Sequence, residues 1–360
     1  MALSFLTGFP GFIGRRLVAR LLEEDSDLRV VALVEPRMED AARAAADELG
    51  GDRVEVLTGD IAERRLGLAD SDWERLIAEV TSAFHLAAIY DLAVPLEIAQ
   101  RVNVDGTGNV LELCAACEQL ERLNYVSTAY VAGARGGVVY EHELALGQGF
   151  KNHYESTKFQ AEVWVREAMD AVPTTVYRPA IVVGDARTGA TQKFDGPYYL
   201  LRVISFCEAR GMPIPQFGRA AAPFNVVPVD FVVDALVAGS LSPDAVGETL
   251  HLVDPEPVTA SELLTLLARE YAGREPSYRL PPRLVETSLR ARTVRELFAG
   301  APRESIGYLN HPVRFDTRNA GDLLAAQGLR CPRFEEYVGP MVRFFREHED
   351  DPAFRVAAPT

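Results

Sequence analysis

Residues 7–14 read T-G-F-P-G-F-I-G, and this stretch decides the fold. It follows a short apolar run, residues 2–6, and precedes a helical pattern over residues 13–24. A glycine-rich turn between a strand and a helix is the setting of a dinucleotide-binding loop. The first glycine suits a tight turn, the second a close approach of backbone to a pyrophosphate, and the third close packing of helix on strand. We expect contacts to the phosphates from this loop and the helix N-terminus: Thr7, Gly8, Phe9, Pro10, Gly11, Phe12, Ile13 and Gly14.

Short apolar runs alternate with helical patterns through the first half of the chain, which is typical of βαβ units. The chain is therefore expected to form an α/β fold of the Rossmann type, a doubly wound parallel sheet with helices on both faces. The predicted helices cover residues 13–24, 38–49, 103–119 and 154–171. The predicted strands cover residues 2–6, 29–34, 54–58, 82–86, 123–127 and 174–178.

A chain of 360 residues is longer than one compact core usually holds, so we expect a main domain and a smaller lobe. Residues 1–183 are predicted to form the dinucleotide-binding domain. Residues 184–360 are predicted to form a smaller α/β substrate lobe with C-terminal helices. A strand and a helix near residues 224–240 are expected to return to the first domain, and a strand over residues 249–253 is assigned to the lobe.

Composition narrows the possible partners and surroundings. The formal charge of −15 argues against nucleic acid as a partner, because counterion release needs clustered basic residues. We find neither a secretory leader nor an apolar run of 18 residues, so no transmembrane segment is expected. The four cysteines are expected to be reduced thiols in the cytoplasm, and Cys114 and Cys117 to pack in a helix. No H-x-x-x-H spacing supports a metal site. A homodimer is left open.

Tyr154-Glu155-Ser156-Thr157-Lys158 is the only Y-x-x-x-K in the chain, which has 12 tyrosines and three lysines. On a helix, a spacing of four residues places both side chains on one face. A neighbouring ammonium favours phenolate, so Lys158 is expected to lower the pKa of Tyr154. Tyr154 would then be a proton donor to a developing alkoxide. An accidental pairing of exposed side chains is the alternative.

The end of the second predicted strand carries conflicting signals for cofactor choice. Glu35 lies 21 residues after Gly14, near the spacing at which an acid binds the adenosine 2′-hydroxyl of NAD. Arg37 follows two residues later and suits the 2′-phosphate of NADP. Both are also compatible with solvated loop charges. We expect NADP(H) or NAD(H) and favour NADP(H).

The G-x-x-G-x-x-G spacing, together with Y-x-x-x-K, resembles the extended short-chain dehydrogenases/reductases. Within them the chain looks most like the fatty acyl-CoA reductase and thioester reductase branch, through residues 125–133, 225–230 and 251–255. The resemblance implies that Thr128 is the catalytic hydroxyl beside Tyr154 and Lys158, with Ser127 the less favoured choice. Alone, a Ser-Thr pair at a strand end is more often a cap or turn. Implied cofactor contacts beyond the glycine loop and strand end are Asp60, Ile61, Leu86, Ala87, Ala88, Asn103, Ser127, Tyr154, Lys158, Arg178, Pro179 and Val182.

The same resemblance implies a reaction, hydride transfer from NAD(P)H to a fatty acyl thioester on coenzyme A or an acyl carrier protein. The product would be an aldehyde or an alcohol. An acyl channel is expected along residues 197–201 with Ile204 and Phe206, although these apolar side chains equally suit a core. The branch more often ends its second strand in Leu-Val-Arg, so Glu35 departs from the pattern and bears on NADP preference.

Two other functions remain open from the sequence. The first is epimerisation or dehydration of a nucleotide sugar with NAD, for which Arg202, Arg210 and Arg219 would supply a diphosphate pocket. The second is a catalytically silent cofactor-binding protein, which an intact Tyr154 and Lys158 disfavours. A peripheral membrane contact through a helix over residues 283–298 is a further, weaker expectation.

Overall fold

The computed structural model describes residues 2–91, 94–216, 221–279 and 303–354. The helix expected over residues 283–298 and the side chain of Arg219 lie outside the described residues. No helix in the described part of the chain is long and apolar enough to cross a bilayer.

The first half of the chain alternates strands and helices, which confirms the predicted α/β class. Its elements are β1 (Leu3–Thr7), α1 (Phe12–Glu24), β2 (Arg29–Val34), α2 (Glu39–Leu49), β3 (Val54–Thr58), α3 (Asp70–Glu79), β4 (Ser82–His85), α4 (Leu96–Ala99), α5 (Gly106–Ala116), β5 (Arg122–Val126), β6 (Gly137–Val139), α6 (His153–Ala168) and β7 (Thr174–Pro179).

The second half contributes shorter strands and several long helices. These are β8 (Ile181–Val183), α7 (Tyr198–Ala209), β9 (Pro215–Gln216), β10 (Val226–Pro228), α8 (Val229–Leu241), β11 (Thr249–Leu252), α9 (Ala260–Ala272), β12 (Tyr278–Arg279), β13 (Val313–Phe315), α10 (Arg318–Ala326) and α11 (Phe334–His348).

Seven strands form one parallel sheet in the order β3-β2-β1-β4-β5-β7-β11. The chain reverses its direction of travel across the sheet between β1 and β4. In doubly wound folds the carboxyl ends of the strands at such a switch point form a crevice for ligands. The glycine loop follows β1, so the order of the strands places it at this crevice.

The structure changes the assignment of one strand in the second half. The strand expected in the smaller lobe, β11, pairs with β7 instead, with Thr249 opposite Val176, and is the seventh strand of the main sheet. All four of its residues are buried, and a buried apolar run does not reveal its pairing partner from sequence. The strand expected to return to the first domain, β10, pairs with β8, which lies within residues 1–183, in a two-stranded sheet beside the main one. The helix α8 packs against α1 and so also contacts that domain.

Side chains on both faces of the sheet are buried, which explains the continuous apolar strands. One core cluster contains Leu6 and Ala32 and continues into the helices of the second half, whereas the other contains Phe5 and Val31 and lies beneath α3, α5 and α6. Alternate residues of β1 therefore enter different cores. The smaller lobe shares the first core with the main sheet.

Candidate active site

A cavity of about 680 Å³ lies at the carboxyl ends of the central strands. The glycine loop forms one wall, and the ends of β4, β5 and β7 with the helix α6 form others. The structure brings together many of the residues predicted from sequence. Those that line the cavity are Gly8, Gly11, Phe12, Ile13, Gly14, Leu86, Ala87, Ala88, Ser127, Thr128, Tyr154, Lys158, Pro179 and Val182.

The glycine loop is too tight for side chains at its glycines. Gly8 has a φ of +92°, and a Cβ there would lie 3.0 Å from the backbone nitrogen of Ala87. A Cβ on Gly11 or Gly14 would lie 2.8 or 2.5 Å from the carbonyl oxygen of Gly8. No described side chain caps the start of α1 at Gly11, so its first N–H groups are available to an anion. This arrangement fits the pyrophosphate of a dinucleotide.

Three loop residues predicted to touch the cofactor do not line the cavity. The hydroxyl of Thr7 is bonded to Nδ1 of His85 at 2.7 Å and accepts the N–H of Ala87 at 3.2 Å. Phe9 is buried in the core, and Pro10 follows it through a cis peptide bond. Thr7 therefore joins the first strand to the loop after β4 and holds the cavity wall.

Tyr154 and Lys158 lie in the first two turns of α6. The helix is capped by Asn152, whose Oδ1 accepts the N–H of Glu155 at 2.9 Å. Both functional side chains are buried and line the cavity. The cap fixes where the helix begins, and hence the direction in which Tyr154 leaves it.

The structure corrects the expected electrostatics of this pair. Burial raises the pKa of Tyr154, and a hydrogen bond with Thr128 opposes that rise. The ammonium of Lys158 instead donates to the Tyr125 hydroxyl at 3.0 Å and to the Val126 carbonyl at 2.9 Å. Burial lowers the pKa of Lys158 to about 7, although Glu162 acts to raise it. Tyr154 is therefore a neutral phenol, and Lys158 exchanges protons near neutrality.

The two hydroxyls after β5 have different surroundings. Thr128 accepts the N–H of Tyr130 at 3.3 Å and donates to the Pro179 carbonyl at 3.4 Å, and its hydroxyl acts to lower the pKa of Tyr154. Ser127 donates to Oε2 of Glu162 at 2.6 Å. Of the two hydroxyls, Thr128 is the one that acts on the phenol of Tyr154, and its catalytic role stays a prediction.

Arg178 departs from the expected cofactor contact and is absent from the cavity lining. Its side chain is buried, donates to Oε1 of Glu162 at 2.6 Å and to the Glu143 carbonyl at 2.9 Å, and contacts Nε2 of His251. Successive side chains of a strand point to opposite faces, so Pro179 reaches the cavity and Arg178 does not.

Three further predicted contacts also lie outside the cavity lining. Asn103 accepts the N–H of Ile89 at 2.8 Å and donates to Thr157 Oγ1 at 3.0 Å, which ties the loop after β4 to α6. Asp60 accepts the N–H of Ala62 at 2.8 Å, and Ile61 is buried in the second core cluster. Asn103 therefore supports the helix that carries Tyr154 and Lys158.

Glu35 and Arg37, the two residues with conflicting meaning for cofactor choice, bind each other. Nε of Arg37 lies 2.6 Å from Oε2 of Glu35, and the guanidinium is 74% exposed. Hydrogen bonding to Glu35 raises the pKa of Arg37. Neither residue lines the cavity, and each sits at the end of β2 where the adenosine ribose is bound in this fold.

Sequence reasoning missed several aromatic residues of the cavity. The ring of Tyr90 meets that of Tyr154 edge-on, with centroids 5.0 Å apart. Tyr308 donates from its hydroxyl to Oε1 of Glu155 at 2.7 Å and belongs to a segment more than 150 residues further along the chain. No motif marks either tyrosine. Other cavity residues outside the predicted set include Tyr130, Lys193, Asp195, Phe224 and Leu309.

The expected acyl channel is divided between cavity and core. Pro197, Tyr199 and Leu200 line the cavity. The remaining members of the predicted set, Tyr198, Leu201, Ile204 and Phe206, pack in the first core cluster. Across the described ranges, no group of three or more His, Cys, Asp or Glu side chains is arranged to hold a metal ion.

Comparison with known proteins agrees with this geometry. The terminal R domain from the myxalamid PKS-NRPS biosynthetic pathway superposes with a TM-score of 0.80 at 26% identity, covering 98% of this chain and 92% of that one. A nonribosomal peptide synthetase, FrzA, from Cladobotryum sp is 30% identical over 76% of this chain and 28% of its own length. A carboxylic acid reductase from Segniliparus rugosus is 28% identical over 66% of this chain and 23% of its own.

The fold and the cavity define an extended short-chain dehydrogenase/reductase, a class of oxidoreductases that use a nicotinamide dinucleotide. The chain belongs to the male sterility protein family, whose profile matches residues 6–236. These curated relatives are much longer proteins, and the chain matches between 5% and 36% of their length. A UDP-glucuronic acid 4-epimerase from Bacillus cereus shares the fold alone, at 18% identity and a TM-score of 0.67.

Proposed function

We propose that the chain reduces an acyl thioester to an aldehyde with NAD(P)H. The observation that carries this proposal is one cavity in which the glycine loop meets Thr128, Tyr154 and Lys158. The names of relatives support it, since they include carboxylic acid reductases and an aldehyde reductase from Aspergillus flavus that matches 97% of this chain. The epimerase alternative has similarity of fold as its support.

The residues divide the work of the reaction between oxygen binding and proton supply. The glycine loop and the start of α1 would hold the dinucleotide, which would supply a hydride to the carbonyl carbon. Thr128 and Tyr154 bind the carbonyl oxygen, and the neutral phenol of Tyr154 gives its proton as negative charge develops there. As the carbon–sulfur bond then breaks, the new hydroxyl loses its proton and the leaving sulfur gains one, so that thioester, NAD(P)H and one proton have become aldehyde, thiol and NAD(P)⁺. Lys158 returns a proton to the site and binds the nicotinamide ribose.

The substrate lies, in this proposal, on the aromatic side of the cavity. Tyr90, Tyr199 and Leu200 provide apolar surface beside Tyr154 for an acyl chain. The carrier is coenzyme A or an acyl carrier protein, and a second reduction at the same hydroxyls gives the alcohol. These assignments are separated by presenting the same acyl group on each carrier and identifying the product.

We propose NADP(H) as the preferred cofactor. An exposed ion pair contributes about 0 to 1 kcal/mol, so Arg37 can exchange Glu35 for a doubly charged 2′-phosphate at little cost. The competing interpretation is that Glu35 binds the ribose hydroxyls of NAD. Binding constants for NADPH and NADH distinguish them.

We also propose a cytoplasmic location, which is supported by four cysteines without disulfide bonds. The partners we propose are a small-molecule or acyl-thioester substrate and no nucleic acid, in keeping with the net charge of −15. A homodimer is tested by the solution mass of the purified chain.

The test is oxidation of NADPH and NADH by the purified protein, with and without a long-chain acyl-CoA, beside Tyr154→Phe. We expect acyl-CoA-dependent oxidation that falls by about 100-fold or more in the variant, because a positioned proton donor contributes that much. Cofactor binding should persist in Tyr154→Phe. Tight binding without oxidation by any thioester would instead favour a sugar-nucleotide enzyme or a silent binding protein.

A further inference from the structure

A third polar residue continues the line of Tyr154 and Lys158 along α6. Glu162 follows Lys158 by four residues and Tyr154 by eight, so all three occupy one face of the helix. The Glu162 side chain is completely buried. A carboxylate in such a place is costly unless it is paired and hydrogen-bonded, so its partners determine its role.

Glu162 is bound from three directions. It accepts hydrogen bonds from Ser127 Oγ at 2.6 Å, from Arg178 Nη2 at 2.6 Å and from Arg166 Nε at 3.0 Å. Burial acts to raise the pKa of Glu162, but the two guanidinium groups outweigh it and lower the pKa. The carboxylate is therefore ionised inside the protein, one helical turn from the catalytic lysine.

We propose that Glu162 is a positioning residue of the active site. Its carboxylate supports the cationic form of Lys158, and its bond to Ser127 fixes the strand end that carries Thr128. The catalytic meaning of this inference rests on the proposed reductase function. The effect of Glu162 on the protonation of Lys158 does not rest on that function, because it is a property of the folded chain without cofactor or substrate.

Several other titratable groups surround Lys158 and Glu162, on the strands and helix that pack around them. Tyr125 of β5 accepts from Lys158, and its phenol is neutral because burial raises its pKa. Burial lowers the pKa of His85, on β4, to about 3, and the charge of Lys158 acts in the same direction. Glu162 is the acidic group that opposes desolvation of Lys158. The remaining groups facing either residue are Tyr154, Arg166, Arg178 and His251.

A role in folding alone makes a different prediction. Loss of a buried ion-pair partner destabilises a protein whether or not a catalytic group is nearby. A merely structural Glu162 would leave the protonation of Lys158 unchanged in every variant that still folds. The titration of Lys158 therefore separates the two roles.

The chain has only three lysines, Lys151, Lys158 and Lys193, so a direct titration is practical. Protein labelled with ¹³C at the lysine ε carbon gives three NMR signals, assigned with Lys151→Arg and Lys193→Arg. We expect the Lys158 signal of the unaltered protein to titrate near the pKa of about 7. Glu162→Gln should move that midpoint down by about one pH unit, the effect of removing a nearby opposite charge.

Two further variants keep the test decisive. Glu162→Asp keeps the charge but draws the carboxylate back by one methylene, and should move the Lys158 midpoint down by less than Glu162→Gln does. If Glu162→Gln does not fold, the direction of the change in Glu162→Asp decides the matter. Glu155→Gln is the matched control, since Glu155 is also fully buried on α6 but pairs with Lys151 at 2.9 Å. It should lower the pKa of Lys151 and leave the Lys158 signal in place.

The outcomes for the two proposals are distinguishable because the titration needs neither cofactor nor substrate. An unmoved Lys158 midpoint in the folded Glu162 variants overturns the positioning role, even if the protein reduces thioesters. A shifted midpoint in a protein that reduces no thioester supports the positioning role and overturns the proposed reaction.

Discussion

At the scale of single residues, Lys158 shows how burial sets the working chemistry. The residue is 2% exposed, and its ammonium is held by a phenol and a carbonyl rather than by a carboxylate. Desolvation therefore dominates and brings its pKa down to about 7. The same burial keeps Tyr154 protonated. The pair differs from the expectation that Lys158 lowers the pKa of Tyr154, because burial raises the pKa of the phenol.

This difference predicts the pH dependence of the reaction. If the cationic form of Lys158 is required, kcat/KM for thioester reduction should fall as pH rises above about 7, by about tenfold per unit. The measurement is initial rates from pH 6 to 9 at saturating cofactor. A rate that stays level to pH 9 would show that the charge of Lys158 is not needed.

Cofactor preference is a second property of single residues. Glu35→Gln removes the carboxylate that occupies Arg37, so the ratio of NADH to NADPH dissociation constants should rise by about tenfold. Glu39→Gln is the control, because Glu39 forms a comparable exposed pair with Arg43 at 2.7 Å. An unchanged ratio in Glu35→Gln would mean that Arg37 does not contact the 2′-phosphate.

At the scale of elements, two helix N-termini build the site. The start of α1 is left without a side-chain cap and faces the cavity, whereas the start of α6 is capped by Asn152. The first arrangement leaves N–H groups for an anion, and the second fixes a side chain in place. The two ends therefore differ in what they offer the cavity, which is free N–H groups at α1 and fixed side chains at α6.

The glycine loop gives a test of the first helix. Gly14→Ala places a methyl group 2.5 Å from the Gly8 carbonyl oxygen, so the loop must shift. We expect affinity for NADPH to fall at least about tenfold in a fluorescence titration, since the pyrophosphate depends on close approach of the backbone. Gly321→Ala in α10 is the control, as its methyl group would enter open space. If Gly14→Ala and the unaltered protein bind NADPH equally well, the loop does not contact the cofactor.

The cap of α6 gives a test of the second helix. Asn152→Ala should lower the free energy of unfolding by about 1 kcal/mol and also reduce kcat, because the Asn152 amide holds Tyr308 as well, at 2.9 Å. Thr259→Ala removes the cap of α9, away from the cavity, and should lower stability with kcat retained. The comparison needs urea denaturation and turnover for both variants.

Most of the strands and both short motifs can be predicted from the sequence, because each depends on a pattern of neighbouring residues. Six strands were recognised as apolar runs, and the glycine loop and Y-x-x-x-K were recognised by short spacings. The seventh strand, β11, was placed in the wrong unit, since periodicity does not encode a pairing partner. The face of the sheet to which Arg178 points depends on how β7 lies in the sheet, and the position of Tyr308 at the cavity depends on packing between distant segments. Neither can be read from a local sequence pattern.

At the scale of the whole molecule, two buried histidines of the main sheet make the stability of the fold depend on pH in the acid range. His85 and His251 both have a pKa lowered to about 3, chiefly by burial. The unfolded chain binds these protons near the ordinary value of 6.5, whereas the folded chain does not. Stability is therefore lost as pH falls from 6.5 towards 3.

This linkage is measurable in the isolated protein. Each histidine should reduce the free energy of unfolding by about 1.4 kcal/mol per pH unit below 6.5. His251→Gln should make the decline between pH 6 and 4.5 shallower by that amount, while His153→Gln, an exposed position beside Tyr154, should leave the decline unchanged. Identical slopes for all three proteins would show that His251 is already protonated in the native state.

Tyr308 and Leu309 reach the cavity from beyond residue 236, where the match to the family profile ends. The cofactor loop and the hydroxyls come from the matched part, but one wall of the acyl side comes from the remainder. A chimera that exchanges only the C-terminal third between two relatives would therefore exchange substrate preference while retaining the machinery for hydride transfer. In this architecture selectivity can diversify without disturbing the reaction.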